Sequence, residues 1–262
     1  MSNAALQVAR TGLDAQNTKM RVIANNLANV NTTGFKRDRA DFETLAYQNI
    51  VTPGAPSDAQ NRFASGLQLG TGVKLSGIGK VVTQGTQQNS DNALDMAIEG
   101  QGYFQVEMPD GTTGYTRAGN FSRSGEGNIV TSDGLPLIPG IQVPEGATSL
   151  TIGNNGTVTA TLAGQDDITE LGRIELASFT NPAGLLSVGN NILTETAASG
   201  APLVGEAGTE GRGAIRQGAL EGSNVNIVEE LVNMIETQRA YEVNSKMISA
   251  TDEMLQFVNQ QI

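Results

Sequence analysis

The last forty residues of the chain, Ser223 to Ile262, contain neither glycine nor proline and predict one long helix. Ser223, Asn224 and Asn226 have side-chain oxygens that suit a helix start, and Glu229 suits the positive end of the helix dipole. At 1.5 Å per residue such a helix is about 50 Å long. A lone helix of ordinary composition is only marginally stable in water, so this one has to pack against something.

Apolar side chains form two stripes on this helix. The first repeats every seven residues, as in helices that pair lengthwise, and comprises Ile227, Met234, Tyr241, Ile248 and Leu255. The second lies on the opposite face, with spacings of four and three, and comprises Val243, Met247, Ala250, Met254 and Phe257. Leu231 is a further candidate packing residue. One partner helix cannot cover two opposite faces, so we expect more than one partner.

The N-terminal region, from about Asn3 to Val30, predicts the partner helix. Its seven-residue row comprises Leu6, Leu13, Met20 and Leu27, and the adjoining row comprises Ala9, Ile23 and Val30. Gly12 weakens this helix by about 1 kcal/mol, and Gly34 suits the left-handed position that follows a helix end. The two terminal helices either close a monomer or present their outer faces to other copies.

Charge is distributed unevenly along the chain. The net charge of −11 argues against nucleic acid or an anionic membrane as a partner. Residues 1–40 nevertheless carry a net charge of +4, and residues 221–262 carry −5, so the two ends are complementary. The N-terminus lacks the layout of a cleaved secretory signal, and we expect any export to use another route.

The middle of the chain, roughly Val73 to Val204, predicts short β-strands separated by turns. The predicted strands are Leu94 to Ile98, Gly102 to Met108, Gly114 to Arg117, Asn128 to Thr131, Ser149 to Ile152, Thr157 to Thr161 and Gly172 to Phe179. The expected core anchors are Tyr103, Phe104, Tyr115, Phe121 and Phe179. The last strand buries Ile174, Leu176 and Phe179 together only if a bulge shifts its register.

Residues for catalysis, metal binding or cofactor binding are not evident. The chain has no cysteine or histidine, which excludes disulfides and chemistry built on either residue. The glycines near Gly70 and Gly77 lack a complete nucleotide-binding motif. Alternation along the strand Leu94 to Ile98 predicts that Asp95 points outward. We therefore expect no enzyme activity, no metal and no cofactor, although a hydrolase that uses two carboxylates stays an alternative.

Three separated blocks of sequence carry a family resemblance. ANNLANVNTTGFK (Ala24 to Lys36) resembles the N-terminal signature of the axial proteins of the bacterial flagellum, the family of rod and hook subunits. NIVEELVNMIETQRAYEVNSKMISATDEML (Asn226 to Leu255) is similar to the C-terminal signature of that family. The block from Asn92 to Gly134 is similar to the β domain that rod and hook subunits share. The matching signature residues are Asn25, Asn26, Leu27, Asn29, Thr33, Gly34, Phe35, Gln238, Arg239, Ala240, Tyr241 and Glu242.

The segment from Phe42 to Gly72 distinguishes the members of this family from one another. From its residues alone, it is an extended stretch with a Pro/Gly/Ser loop, compatible with a flexible linker. It resembles the extra segment of distal rod subunits, a group that the chain also matches in length. Proximal rod and hook-type subunits stay as alternatives, and so does a secreted fibre or adhesin module from outside the family.

The resemblance implies an α+β fold with a discontinuous architecture. Residues 1–35 and 222–262 would form a helical polymerisation domain that pairs as a coiled coil. Residues 36–85 and 204–221 would form an extended connecting region, and residues 86–203 a β-rich outer domain of short antiparallel strands.

The resemblance also implies partners and a location. The partners would be other copies of the chain in a helical, head-to-tail polymer, proximal rod subunits, hook protein, and the peptidoglycan-ring and outer-membrane-ring proteins. Export would use the flagellar type III apparatus, without a cleaved signal. The rod would then cross the periplasm as the drive shaft from motor to hook.

Overall fold

A computed structural model describes residues 2–56, 61–162 and 168–260 of the chain. Within these ranges, the side chains of residues 2–4, 255 and 258–260 are not described. Both predicted terminal helices are confirmed: α1 spans Ser2–Ala28 and α2 spans Ile227–Gln260. Over the described residues, neither helix has an apolar stretch long enough to cross a membrane.

The chain divides into two compact units. The first takes the described residues within 1–27, 38–79 and 227–262, and the second takes those within 28–37 and 80–226. Each unit is thus assembled from segments that are distant in sequence.

In the first unit, the two helices run antiparallel to each other. Asn26 near the end of α1 donates to Glu230 near the start of α2, from Nδ2 to Oε1 at 3.4 Å. Gly12 lies beside Asn244, since a β-carbon at Gly12 would be 3.0 Å from Asn244 Nδ2. The two contacts are 14 residues apart on both helices, in opposite directions. Gly12, which lowers helix propensity, therefore also leaves room for the partner helix.

Four strands complete the first unit. Strand β1 (Asp38–Thr44) pairs with β4 (Val73–Lys80), and β2 (Gln48–Val51) pairs antiparallel with β3 (Leu67–Leu69). The segment from Phe42 to Gly72 therefore contains a β-hairpin, in which residues 57–60 lie outside the described part of the chain.

The second unit is built from short antiparallel strands, as predicted. Its strands are β5 (Gln87–Asn89), β6 (Met96–Glu99), β7 (Tyr103–Glu107), β8 (Thr113–Thr116), β9 (Ser122–Arg123), β10 (Ile129–Val130), β11 (Leu137–Ile138), β12 (Ala147–Ile152), β13 (Thr157–Leu162), β14 (Ile168–Arg173), β15 (Glu175–Ser178), β16 (Leu186–Gly189), β17 (Ile192–Thr194), β18 (Leu203–Glu206), β19 (Ala214–Gln217) and β20 (Ala219–Glu221), with a 3-10 turn at Pro182–Gly184. The main sheet has the order β16-β17-β8-β7-β15-β18, with β11 also on β7. The sheet β12-β13-β14 and the pairs β9-β10, β6-β19 and β5-β20 are separate from it in their hydrogen bonding.

Aromatic side chains anchor the core of the second unit. All five predicted anchors, Tyr103, Phe104, Tyr115, Phe121 and Phe179, are buried. Phe104 meets Phe121 edge-on with ring centroids 5.2 Å apart, and Tyr115 meets Phe179 likewise at 4.8 Å. Edge-to-face pairs of this kind stabilise a core beyond the area that they bury.

Two local features differ from what the sequence predicts. The segment from Gly172 to Phe179 is not one bulged strand, because β14 ends at Arg173 and β15 (Glu175–Ser178) pairs in regular register with β7 and β18. Ile174, Leu176 and Phe179 are nevertheless all buried, since Phe179 lies just after the end of β15. The prediction that Asp95 points outward is wrong. The strand begins only at Met96, so strand alternation does not govern Asp95, which is buried and accepts hydrogen bonds from Ser90 Oγ at 2.5 Å and Asn92 Nδ2 at 2.9 Å.

Candidate functional site

Asn26, in the N-terminal signature, joins three elements of the first unit. Its side chain is 1% exposed. Its Oδ1 accepts from the backbone N of Asp38 at 2.8 Å, and its Nδ2 donates to the backbone O of Asp38 at 2.9 Å and to Glu230 at 3.4 Å. When both the oxygen and the nitrogen of a buried side-chain amide are hydrogen-bonded, the side chain is held in one orientation, because any rotation would leave polar atoms unpaired. Asn26 therefore holds α1, β1 and α2 in one arrangement.

Gly34 has the positive φ that its place after α1 predicts, at 71°. Its backbone N donates to the backbone O of Glu221 at 2.7 Å. A β-carbon at this position would lie 2.6 Å from the backbone N of Ala118 and 2.6 Å from the carbonyl carbon of Arg117. Backbone atoms cannot move aside as a flexible side-chain tip can, so only glycine fits.

We expect Gly34→Ala to destabilise the second unit by about 3 kcal/mol or more, from the left-handed conformation and the clash together. Gly134→Ala is the matched control, because Gly134 has φ 82° with nothing near its missing β-carbon, and it should cost about 1 kcal/mol. Urea denaturation of the two variants measures the difference. Equal losses would show that close packing at Gly34 has no energetic weight.

A buried ion cluster lies in the second unit. Glu221 is 0% exposed, and its Oε1 accepts from Lys36 Nζ at 2.5 Å while its Oε2 accepts from Arg117 Nη1 at 3.2 Å. The backbone N of Gly85 also donates to Oε1, at 3.0 Å. One carboxylate thus connects the segment after α1, the strand β8 region and the segment before α2.

Lys36 and Arg117 have further partners around this carboxylate. Lys36 Nζ donates to the backbone O of Thr83 at 2.8 Å, and Arg117 Nη2 donates to the backbone O of Gly100 at 2.5 Å. Burial lowers the pKa of Lys36 from its ordinary value, although the hydrogen bond to Glu221 opposes this shift. The guanidinium of Arg117 also lies over the Tyr103 ring, 5.5 Å from its centroid. Removing any one member of such a buried cluster would leave the others charged and unpaired, which strongly destabilises the fold.

Sequence reasoning did not single out this cluster. Lys36 closes the N-terminal signature block, Arg117 lies within the β-domain block, and Glu221 precedes the C-terminal block. The available signal was the family resemblance itself, because the two cations lie within blocks that match it. Pairing across 104 and 185 residues of sequence is invisible to local patterns.

The other N-terminal signature residues have local structural roles. Asn25 Nδ2 donates to Asp38 Oδ2 at 3.3 Å, and Asn29 Oδ1 accepts from Thr32 Oγ1 at 3.1 Å. The backbone O of Thr33 accepts from Asn191 Nδ2 at 3.1 Å. Phe35 packs under Lys80, whose Nζ is 5.7 Å from the ring centroid.

The predicted packing residues of α1 are covered to different degrees. Ile23 is buried, and Leu6, Leu13, Met20 and Leu27 are half-buried. Val30, which was predicted on the same helix, is half-buried but lies after the end of α1 at Ala28. Ala9 and Val22 are also buried. The covered side of α1 is thus the apolar side, while Arg10, Asp14 and Arg21 are exposed.

One face of α2 is covered. Glu230 and Thr237 are buried on it, and Met234 and Ile248 are half-buried. Ile227 and Tyr241, from the same predicted stripe, remain exposed, and the side chain of Leu255 lies outside the described residues. The first stripe is therefore covered at Met234 and Ile248 and open at Ile227 and Tyr241.

The opposite face of α2 is apolar and exposed. Val243, Met247, Met254 and Phe257 each expose more than half of their surface, and Ala250 is also exposed. A second exposed group, at helical spacings of three and four, lies in the first turns and comprises Val228, Leu231, Val232 and Ile235. We call these two groups together the outer apolar face of α2. Large apolar faces of this kind mark contact surfaces on soluble proteins.

The C-terminal signature lies mostly on exposed positions. Gln238, Arg239 and Glu242 are exposed, as is Tyr241, whereas Ala240 is half-buried. The N-terminal signature thus contributes to contacts within the chain, while the C-terminal signature presents side chains to the outside.

The described residues do not form an evident catalytic or metal-binding site. No group of three or more acidic side chains among them could hold a metal ion. A cavity of about 1050 Å³ beside β8 and β17 has one carboxylate in its lining, that of Glu195, whereas glycoside hydrolysis uses two. The arrangement suits contact rather than catalysis.

Comparisons with known proteins agree with the sequence blocks. Three family models match the chain: "Flagella basal body rod protein" over residues 6–36, "Flagellar hook protein FlgE/F/G D1 domain" over residues 97–160, and "Flagellar basal body rod FlgEFG protein C-terminal" over residues 216–261.

Curated relatives cover nearly the whole chain. The flagellar basal-body rod protein FlgG of Buchnera aphidicola (strain APS) is 48% identical over 98% of this chain and 98% of its own length. FlgG of Agrobacterium fabrum is 46% identical over 98% and 99%, and FlgG of Caulobacter vibrioides is 46% identical over 98% and 98%. Among solved structures, the Helicobacter pylori flagellar hook protein FlgE2 covers 71% of this chain and 43% of its own, at 15% identity and a TM-score of 0.24.

Proposed function

The chain belongs to the FlgG family of flagellar basal-body rod proteins, and we propose that it polymerises into the distal rod, the drive shaft that transmits torque from motor to hook. Its role is structural and serves motility; it is not an enzyme.

The outer apolar face of α2 is the observation that carries the proposal. Met247, Met254 and Phe257 are more than half exposed, although one face of the same helix is already covered within the chain. Burying a side chain of this size stabilises a contact by about 1.5–3 kcal/mol. Several such side chains together favour association strongly, even after the entropy cost of association.

We propose that the terminal helices of neighbouring copies cover this face and form a coiled coil with it. The uncovered face and the covered face are different surfaces, so the contact between copies is head-to-tail. A head-to-tail contact that does not close into a ring produces a helical polymer.

The hairpin of β2 and β3 supports the distal position. It lies in the segment that resembles the extra segment of distal rod subunits, and it exposes apolar side chains at Tyr47, Ile50, Leu67 and Leu69. A flexible linker would not pair its strands. We propose that this hairpin contributes a second contact between copies.

The proposed partners follow from the family. In the basal body, the rod assembles with other rod and hook components, and we propose proximal rod subunits below, hook protein above, and the peptidoglycan-ring and outer-membrane-ring proteins around it. The proposed route to this periplasm-spanning position is the flagellar type III export apparatus.

Removing the chain from its own bacterium tests the proposed function. We expect isolated basal bodies to have a shortened rod and no hook, and the cells to stop swimming. Restoring the wild-type chain should restore rod, hook and motility. Complete rods and hooks in the absence of the chain would contradict the proposal, and loss of the whole rod would place the chain in the proximal part instead.

A further inference from the structure

Exposed charges on the two terminal helices match each other in sign and spacing. Arg10 and Arg21 are 11 residues apart on α1, and Glu242 and Glu253 are 11 residues apart on α2. Eleven residues make about three helical turns, so each pair lies on one side of its helix, about 16 Å apart. All four side chains are exposed, and within the described part of the chain none has a hydrogen bond or ion pair.

The chain cannot pair these charges within itself. The contacts of Asn26 with Glu230 and of Gly12 with Asn244 place Arg21 level with Ile235 and Arg10 level with Lys246. Glu242 and Glu253 are therefore each seven residues, or about 10 Å, beyond the arginine that they would pair with. These four charges are therefore not paired with one another inside the chain.

The internal register would also be unfavourable between copies. In that register Arg10 is level with Lys246, and Asp14 is level with Glu242, so two pairs of like charges would face each other across the contact. Like charges opposite each other destabilise helix pairs by about as much as opposite charges stabilise them. A contact between exposed faces therefore favours another register.

We propose that α1 of one copy lies antiparallel to α2 of a neighbouring copy, shifted by seven residues from the register inside the chain, so that Arg10 pairs with Glu253 and Arg21 with Glu242. This inference rests on the proposed polymer. In a head-to-tail polymer all copies point the same way along the axis, so helices that run along the axis and are antiparallel in one copy are antiparallel between copies.

The shifted register brings together further compatible side chains. Asp14 and Lys246 come within three residues of being level, about 4.5 Å along the axis, which gives a third pair of opposite charge. Lys246 is then level with Asn17, and Ala24 is level with Arg239. No two like charges on the exposed faces are level in this register, although Arg21 with Arg239 and Asp14 with Asp252 also come within three residues of being level.

Charge reversal tests the pairing. We expect Arg21→Glu to raise the critical concentration for polymerisation about tenfold, equivalent to about 1.4 kcal/mol per contact. Glu242→Arg should do the same, and the double variant should polymerise like the wild type. Arg123→Glu, an exposed change of the same charge in strand β9, is the control and should have no effect. Failure of the double variant to recover would overturn the register.

Disulfide trapping tests the register directly, because the chain has no cysteine of its own. Copies with Asn17→Cys are mixed with copies that carry Lys246→Cys, polymerised and oxidised. We expect cross-linked dimers. The control partner carries Arg239→Cys, which is level with Asn17 in the internal register, and we expect no cross-link with it.

The two proposals fail in different ways. Cross-linking through Arg239→Cys, or no cross-link at all in polymers that do form, would overturn the seven-residue shift and leave the rod function intact. A wild-type chain that never polymerises would overturn the proposed function and this inference with it.

Discussion

Replacing Glu221 with glutamine is expected to destabilise the β-rich unit by about 3–5 kcal/mol, the range for removing one partner of a buried ion pair. Glutamine has nearly the same shape, so the loss comes from charge rather than from a cavity. Lys36 and Arg117, both more than nine-tenths buried, would lose the carboxylate that offsets their desolvation. Urea denaturation of the full chain measures the change in the free energy of unfolding.

An exposed ion pair provides the control for this prediction. Glu99 contacts Arg216 at 3.3 Å, with both side chains about half exposed. Glu99→Gln should cost less than about 1 kcal/mol, because water screens exposed pairs. If the two variants lost the same stability, the buried cluster would not be holding its three segments together.

Substituting aspartate into the outer apolar face of α2 is expected to abolish polymerisation and to leave the stability of the single chain nearly unchanged. Ile235→Asp and Met247→Asp place a charge where we propose that a neighbouring copy packs, and an unpaired buried charge costs several kcal/mol. In the single chain both positions are about half exposed, so surface effects of about 0.5 kcal/mol are expected there. Sedimentation and electron microscopy of concentrated protein measure polymerisation, and urea denaturation measures the stability of the chain.

Ser245→Asp is the matched control, since it adds the same charge at an exposed polar position of the same helix. It should polymerise at close to the wild-type concentration. Polymers that form normally from both the Ile235→Asp and Met247→Asp variants would show that copies do not meet through this face.

Periodicity and turn chemistry predicted both helices and several of the strands, among them β7, β8 and β13. The absence of glycine and proline after Ser223 predicted α2, and the alternation of Ile174 with Leu176 predicted that both are buried. These features depend on neighbours in sequence, where patterns carry the information.

Features that depend on distant residues were not predictable in this way. Asn224 suits a helix start by its residue type, yet its side chain accepts from the backbone N of Arg37 at 2.8 Å and donates to the backbone O of Val81 at 2.7 Å. Asn26 and Glu221 likewise satisfy partners that lie far away in the chain. A side chain that caps locally and one that bridges segments have the same residue type, so sequence alone does not separate them.

The exposed stripe of α2 was predicted only in part. The spacing of Val243, Met247, Met254 and Phe257 indicated it, whereas Val228, Val232 and Ile235 were not singled out. A helix that is apolar on several sides gives no preferred face in its periodicity, and only the packing of α1 shows which side the chain leaves open.

Imaging the purified wild-type chain at increasing concentration tests the central claim most directly. We expect single chains to be replaced, above a threshold concentration, by filaments that lengthen without closing. Closed assemblies of fixed size at every concentration, such as trimers, would contradict it and would favour a fibre or adhesin module whose helices serve only to join a few copies.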